Sequence, residues 1–257
     1  MKIIIKDDYS QLSKHAAQLI AEQIRKKPNS VIGLATGGTP LGTYKELIRL
    51  HKEEGLDFSQ VRTFNLDEYL GLAMDLDKSY EQDQSYERFM YEELFFHINI
   101  KKENIHIPYG LTSNPEETCK EYEENIEKAG GIDLQLLGIG GDGHWAFNEP
   151  GSAFDSRTRV ESLHPQTTQD NYKAFFQKSG LPIDQMPTRA LTMGIATILE
   201  AKSLLMLAYG KNKANIIKQA LEGPITTQVS ASAIQIYKNP ITIILDSQAA
   251  SQLERLD

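Results

Sequence analysis

Val31-Ile32-Gly33-Leu34-Ala35-Thr36-Gly37-Gly38-Thr39-Pro40 runs from an apolar stretch through a glycine turn into a helix opening. The apolar stretch is short and rich in branched side chains, which suits a buried strand. Thr39 suits a helix cap and Pro40 the first helical position. Tyr44, Leu47, Ile48 and His51 then continue at helical spacing. Strand, tight turn and helix in this order form the first half of a β-α-β unit.

The same alternation extends in both directions. Upstream, Ile3-Ile4-Ile5 reads as a strand, and Leu12, Ala16, Leu19, Ile20 and Ile24 as one helix face ending at Lys26-Lys27-Pro28. Downstream, strands are predicted at 61–65, 105–107, 134–139, 204–208 and 241–245. Helices are predicted over 86–97 and 115–128, and through Ile216, Ile217 and Leu221. Strands separated by helices need crossover connections, so the sheet should be largely parallel. The reading is an α/β protein, one domain over 1–257: three layers around a mostly parallel central sheet, Rossmann-like. Ligands of such sheets gather beyond the carboxyl ends of the strands, so loops 36–39, 65–71 and 140–151 should share one rim.

Twenty-seven Lys and Arg against 35 Asp and Glu leave a net charge of −8. A non-specific nucleic-acid binder would need a basic face. No apolar run is long enough to span a bilayer, and the start, MKIIIKDDYSQ, lacks the apolar core of a secretory signal. Cys119 is the one cysteine, so neither an internal disulfide nor a multi-cysteine metal site can form. These features predict a cytoplasmic protein without nucleic-acid or membrane partners.

Two glycine motifs fall short of nucleotide sites. Gly33 and Gly38 have P-loop separation, but Thr39 stands where the lysine belongs. Gly138-Ile139-Gly140-Gly141-Asp142-Gly143 matches G-x-G-x-x-G, yet Asn148-Glu149-Pro150-Gly151 interrupts any helix it could open. What remains of the first motif is an anion site: Thr36, Gly37, Gly38 and Thr39 offer backbone N–H groups at a helix start. Lys213, near the start of the helix after Gly210, is a cation where helix dipoles disfavour one unless an anion sits nearby.

Asp142, His144 and Glu149 bring acid–base groups to the glycine-rich loop. If 142–144 runs extended, Asp142 and His144 face the same side, and a carboxylate beside an imidazole fixes its tautomer. Asp67-Glu68 follows the 61–65 strand; paired carboxylates are usually a solvated turn, but their position on the rim makes either a candidate base. Trp145 and Phe147 should pack under the loop, and Phe95 and Phe96 should face the core. His15, His51, His97, His106, His144 and His164 form no H-x-x-x-H pair, and no G-x-S-x-G elbow occurs. Cys119 reads as a semi-buried helix residue rather than a nucleophile. An anion pocket with carboxylates and one histidine, without metal, cofactor or obvious nucleophile, suits proton transfer on a sugar phosphate.

Ala35-Thr36-Gly37-Gly38-Thr39-Pro40, Phe64-Asn65-Leu66-Asp67-Glu68-Tyr69 and Gly141-Asp142-Gly143-His144-Trp145-Ala146-Phe147-Asn148-Glu149-Pro150 resemble the glucosamine-6-phosphate deaminase family. Weaker likeness covers Ser156-Arg157-Thr158-Arg159, Ala190-Leu191-Thr192-Met193-Gly194 and the Lys213-Ala214 helix, in the family's order. The resemblance implies conversion of glucosamine 6-phosphate and water to fructose 6-phosphate and ammonia. It implies that His144 assists ring opening, that Asp142 and Glu149 orient it, and that Asp67 carries a proton from the second carbon to the first. It maps the phosphate onto the 36–39 loop, Lys213 and Lys173, where the family usually has arginine; lysine keeps the charge but not bidentate recognition. The 73–84 segment replaces a shorter stretch of the family, so the loop beside the site should differ. Allosteric members carry a basic residue where Glu161 stands and a C-terminal extension beyond the position of Asp257. The resemblance thus implies no activation by N-acetylglucosamine 6-phosphate. Monomer and homo-oligomer are both left open. The alternatives are a 6-phosphogluconolactonase-like hydrolase and a sugar-phosphate-binding sensor on the same fold.

Overall fold

Branched side chains dominate the strands of the larger sheet, and alternate residues of those strands point into two separate cores. In the computed structural model, which describes residues 1–78, 83–174, 176–180 and 182–254, the elements begin β1 (Lys2–Lys6), α1 (Tyr9–Lys26), β2 (Val31–Leu34), α2 (Leu41–Glu54), β3 (Arg62–Asn65), β4 (Asp67–Tyr69) and α3 (Tyr86–Glu93). Next come β5 (Ile105–His106), α4 (Pro115–Lys128), β6 (Leu134–Leu137), β7 (Arg159–Ser162) and α5 (Pro165–Ala174). The last are β8 (Arg189–Thr192), α6 (Ile195–Leu199), β9 (Leu204–Ala208), α7 (Ala214–Glu222) and β10 (Ile241–Asp246).

Seven strands form one sheet in the order β1-β10-β9-β6-β2-β3-β5, and every pairing in it is parallel. On one face, Ile32, Leu34, Leu136 and Ile244 meet the Leu12, Ile20 and Leu47 faces of α1 and α2, and Met90 of α3. On the other, Val31, Phe64, Leu137 and Ile243 meet Tyr122 and Ile126 of α4 and Ile217 of α7. That is the three-layer α/β arrangement expected. Order reverses at β2, with β3 and β5 on one side and β6, β9, β10 and β1 on the other. This is the topological switch point at which open α/β sheets bind ligands. Among the described residues no helix is long and apolar enough to cross a membrane.

The structure departs from the sequence reading in several places. A second sheet, β4-β8-β7, is antiparallel, with Asp67 opposite Thr192 and Tyr69 opposite Ala190. It was not foreseen, and it turns part of the 65–71 loop into a strand. The helix expected over 86–97 ends at Glu93, where Leu94 takes φ −146, and a separate 3-10 turn covers Phe95–His97. Phe95 is buried, but Phe96 is 53% exposed and lies against Tyr91. Thr39 does not cap α2: the helix opens one residue later, at Leu41, and Pro40 occupies the cap position without a side-chain hydrogen bond. Cys119 is buried on α4.

Candidate active site

The loops that leave β2, β3 and β6 enclose a cavity of about 240 Å³ at the switch point. Thr36, Gly37, Gly38 and Thr39 form one wall. Leu66 and Asp67 line a second side, and Gly138, Ile139, Gly140 and His144 a third. Tyr86, Phe147, Asn171 and Lys213 also line it. Chain segments far apart in sequence thus meet on one rim.

The 36–39 wall is built for an anion. Gly37 takes φ +111, a conformation that suits glycine. The backbone N–H groups of Gly37, Gly38 and Thr39 donate to no described residue. Unpaired donors at the start of a 14-residue helix make an anion seat through their own dipoles and that of the helix. Lys213 lines the same cavity, its Nζ donating to the Ile139 carbonyl at 2.7 Å. Burial pulls its pKa down, against the opposing pull of Asp142 and Asp170. Lys173 is not brought here: it is exposed on α5 and does not line the cavity.

Asp67 and Glu68 look equivalent in sequence, but strand alternation separates them. Both are buried, at 5% and 1% exposure. Glu68 turns away from the cavity and accepts backbone N–H groups of Tyr69 (2.8 Å), Tyr86 (3.0 Å) and Glu87 (2.7 Å). It therefore ties the start of α3 to β4. Asp67 lines the cavity and accepts no hydrogen bond from the described residues. Burial pushes its pKa from 3.8 up to about 7, and the nearby His144 pulls the other way. A carboxylate with free lone pairs, desolvated and near neutrality, has the properties of a general base.

The Asp142–His144 pair forms by a different route from the one expected. Gly143 takes φ +92, so the segment is not extended. Asp142 Oδ1 instead folds back onto the His144 backbone N–H (3.2 Å) and lies 2.6 Å from Nδ1 of the ring. That approach sets the orientation of the imidazole beside the carboxylate. Burial alone would raise the Asp142 pKa, but the His144 contacts carry it below the usual value. Glu149 lies buried behind the cavity, with Oε1 accepting the His164 N–H (3.0 Å) and Oε2 the Thr167 hydroxyl (3.1 Å). One ligand atom from each of Asp142, His144 and Glu149 lies within 4.8 Å of the others. Each Glu149 oxygen already accepts a hydrogen bond, from His164 or from Thr167, which fixes the carboxylate behind the Asp142–His144 pair. Trp145 and Phe147 are buried beneath this loop.

The sequence model of the family described as glucosamine-6-phosphate isomerases/6-phosphogluconolactonase matches residues 6–245. The chain belongs to that family. A glucosamine-6-phosphate deaminase of Thermoanaerobacter sp. (strain X514) is 49% identical over 251 residues, covering 98% of this chain and 94% of its own. One from Clostridium botulinum (strain Langeland) is 46% identical over 254 residues, 99% of each chain. Among solved structures, a monomeric glucosamine-6-phosphate deaminase superposes with a TM-score of 0.90 at 44% identity, covering 98% of this chain and 100% of that one. The 6-phosphogluconolactonase of Trypanosoma cruzi superposes at 0.74 with 23% identity, a likeness of fold alone.

In this family member, Tyr86 and Asn171 are cavity residues that sequence reasoning missed. Tyr86 opens α3 after the Ser85 cap, and its ring stacks on Phe147 at 5.8 Å with planes 6° apart. A large aromatic directly after a capping serine, downstream of the Asp67-Glu68 pair, is the signal that could have flagged it. Asn171 had no local signal. The 73–84 segment is tied to α3 at its described ends: Met74 N–H donates to Glu87 (3.0 Å), and Asp83 accepts from Asp75 N (2.6 Å) and Ser85 N (3.0 Å). Its residues 79–82 lie outside the described residues. Glu161 accepts from Arg159 on the antiparallel sheet.

Proposed function

We propose that this chain, as one domain over 1–257, converts glucosamine 6-phosphate and water to fructose 6-phosphate and ammonia. The observation that carries this reading is Asp67: a buried carboxyl without a hydrogen-bond partner among the described residues, facing a cavity that has an anion seat on one side and the Asp142–His144 pair on the other. The phosphate occupies the N–H groups of 37–39 with Lys213 beside it, which places the sugar's opposite end near His144. His144, oriented by Asp142 and backed by Glu149, moves the proton that opens the pyranose ring. Asp67 then takes the proton from the second carbon of the open chain and returns it to the first, through an enol-amine. Hydrolysis of the resulting imine releases ammonia. Lys173, exposed and outside the cavity, has no place in this scheme as the cavity stands.

Purified protein given glucosamine 6-phosphate should release ammonia and fructose 6-phosphate in equal amounts. Hydrolysis of 6-phosphogluconolactone without ammonia release would instead select the hydrolase alternative. Binding of the sugar phosphate with no product at all would select the sensor.

A pH dependence follows from Asp67. The base must be ionised, and its pKa is raised to about 7, so kcat/KM should fall about tenfold per pH unit on the acid side of that value. A profile flat between pH 5 and 7 would remove Asp67 from the base role.

A further inference from the structure

Tyr9 is the first residue of α1 and does not line the cavity, yet among the described residues its hydroxyl is the one side-chain group that hydrogen-bonds the 38–42 backbone. Its single proton is shared between the carbonyls of Gly38 and Thr39, both at 3.0 Å, and its oxygen accepts the Gly42 N–H at 2.7 Å. In a trans peptide the C=O and N–H point in opposite directions. With the Gly38 carbonyl drawn toward α1, the N–H of Thr39 is turned to the opposite side, away from the tyrosine. The next carbonyl, that of Thr39, is followed by Pro40, which has no N–H to misplace. Gly42 shows the same fit from the other side. A Cβ there would come within 2.3 Å of Ser13 Oγ and 3.0 Å of Tyr9 Cε1, so only glycine lets α1 close onto the first turn of α2. The Tyr9 ring also packs on Tyr209, with centroids 4.5 Å apart, just before the Gly210 turn that leads to Lys213.

We infer that Tyr9 is a positioning residue, which holds the 37–39 peptides so that their N–H groups converge on a bound phosphate. This rests on reading that loop as the phosphate site. Tyr9 touches no substrate atom; it acts through the carbonyls on the back of the loop.

Tyr9→Phe keeps the ring and its packing on Tyr209 while removing the hydroxyl that serves both carbonyls and the Gly42 N–H. The Kd for inorganic phosphate, measured by titration calorimetry, should rise about three- to tenfold. KM for glucosamine 6-phosphate should rise in parallel, with kcat within twofold. Tyr9→Ala should weaken phosphate at least as much, and thermal unfolding of both variants tells local loosening from loss of fold. An unchanged phosphate Kd in Tyr9→Phe overturns the inference, whatever happens to stability, as does a fall in kcat with phosphate affinity intact. Wild-type protein that binds no phosphate overturns it as well. Wild-type protein that binds phosphate but releases no ammonia defeats the proposed activity, and the Tyr9 comparison is then decided on the phosphate Kd alone.

Discussion

Asp67→Asn should lower kcat on the order of 10³-fold or more, leave KM for glucosamine 6-phosphate nearly unchanged, and make the protein more stable. The loss follows from general-base catalysis, which commonly supplies about 10²–10⁴ in rate. Here one group must both take and return the proton, so the upper part of that range applies. Binding is spared because the phosphate seat and His144 lie on other loops. The stability gain comes from the same burial that makes Asp67 a base. Its folded pKa of about 7 lies above the unfolded 3.8, so between those values the folded state holds the proton more tightly than the unfolded chain. Folding stability therefore falls as pH rises through that window, and the full cost is present above about 7. The distance between the two values corresponds to ~4 kcal/mol. An amide does not ionise, so it escapes that cost. The difference in unfolding free energy between variant and wild type should grow from pH 4 to 7 and then level off. Parallel kinetics and denaturant titrations at several pH values test both halves. Near-normal turnover excludes the base role, and a stability difference independent of pH excludes a raised Asp67 pKa as its source.

The parts of this molecule legible in sequence are those whose signal is local. β2, its turn and α2 could be read because Val31-Ile32 and the Gly37-Gly38 pair are neighbours in the chain, and α4 because Pro115 follows a capping asparagine and the helix ends before Gly130. The antiparallel sheet escaped because Asp67–Tyr69, Arg159–Ser162 and Arg189–Thr192 are short and carry charges. Nothing in such segments announces a strand, and β4 finds its partner β8 more than a hundred residues away. Within the site, residue type and spacing gathered candidates without ranking them, and the choice of Asp67 over Glu68 rested on the family resemblance. Asp67 and Glu68 are adjacent and chemically alike; only the strand's period of two sends one to the cavity and the other to the backbone of α3. Lys173 shows the converse, a charge placed by analogy that the turn of α5 leaves in solvent, while Asn171 two positions earlier reaches the cavity. Tyr9 holds a loop thirty residues away. Its role exists only after α1 and α2 have packed together.

Gly140→Ala should reduce kcat/KM roughly as much as loss of His144 itself, on the order of 10²–10³-fold, although residue 140 has no side chain to lose. The reason is steric. A methyl group at 140 would lie 2.3 Å from Cε1, 2.4 Å from Nε2 and 2.5 Å from Nδ1 of the His144 imidazole. No real Cβ tolerates such contacts, so the ring must leave its place over the loop. The backbone at 140 is not in the left-handed region, so the substitution carries no conformational penalty of its own. The turn is closed by the Gly140 N–H donating to the His144 carbonyl at 2.9 Å, a bond that alanine retains. A displaced ring can swing into the adjoining cavity, so stability should change little compared with the ~1–3 kcal/mol typical of an overfilled core. What is lost is the 2.6 Å approach to Asp142 that orients the imidazole. Gly141→Ala is the matched control. It adds the same methyl one residue along, where nothing lies within 4 Å and φ is ordinary, and should retain near wild-type turnover. Comparing kcat, KM and thermal unfolding of the two variants separates ring displacement from general damage to the glycine loop. Full activity in Gly140→Ala would mean that ring opening does not depend on an imidazole lying across residue 140.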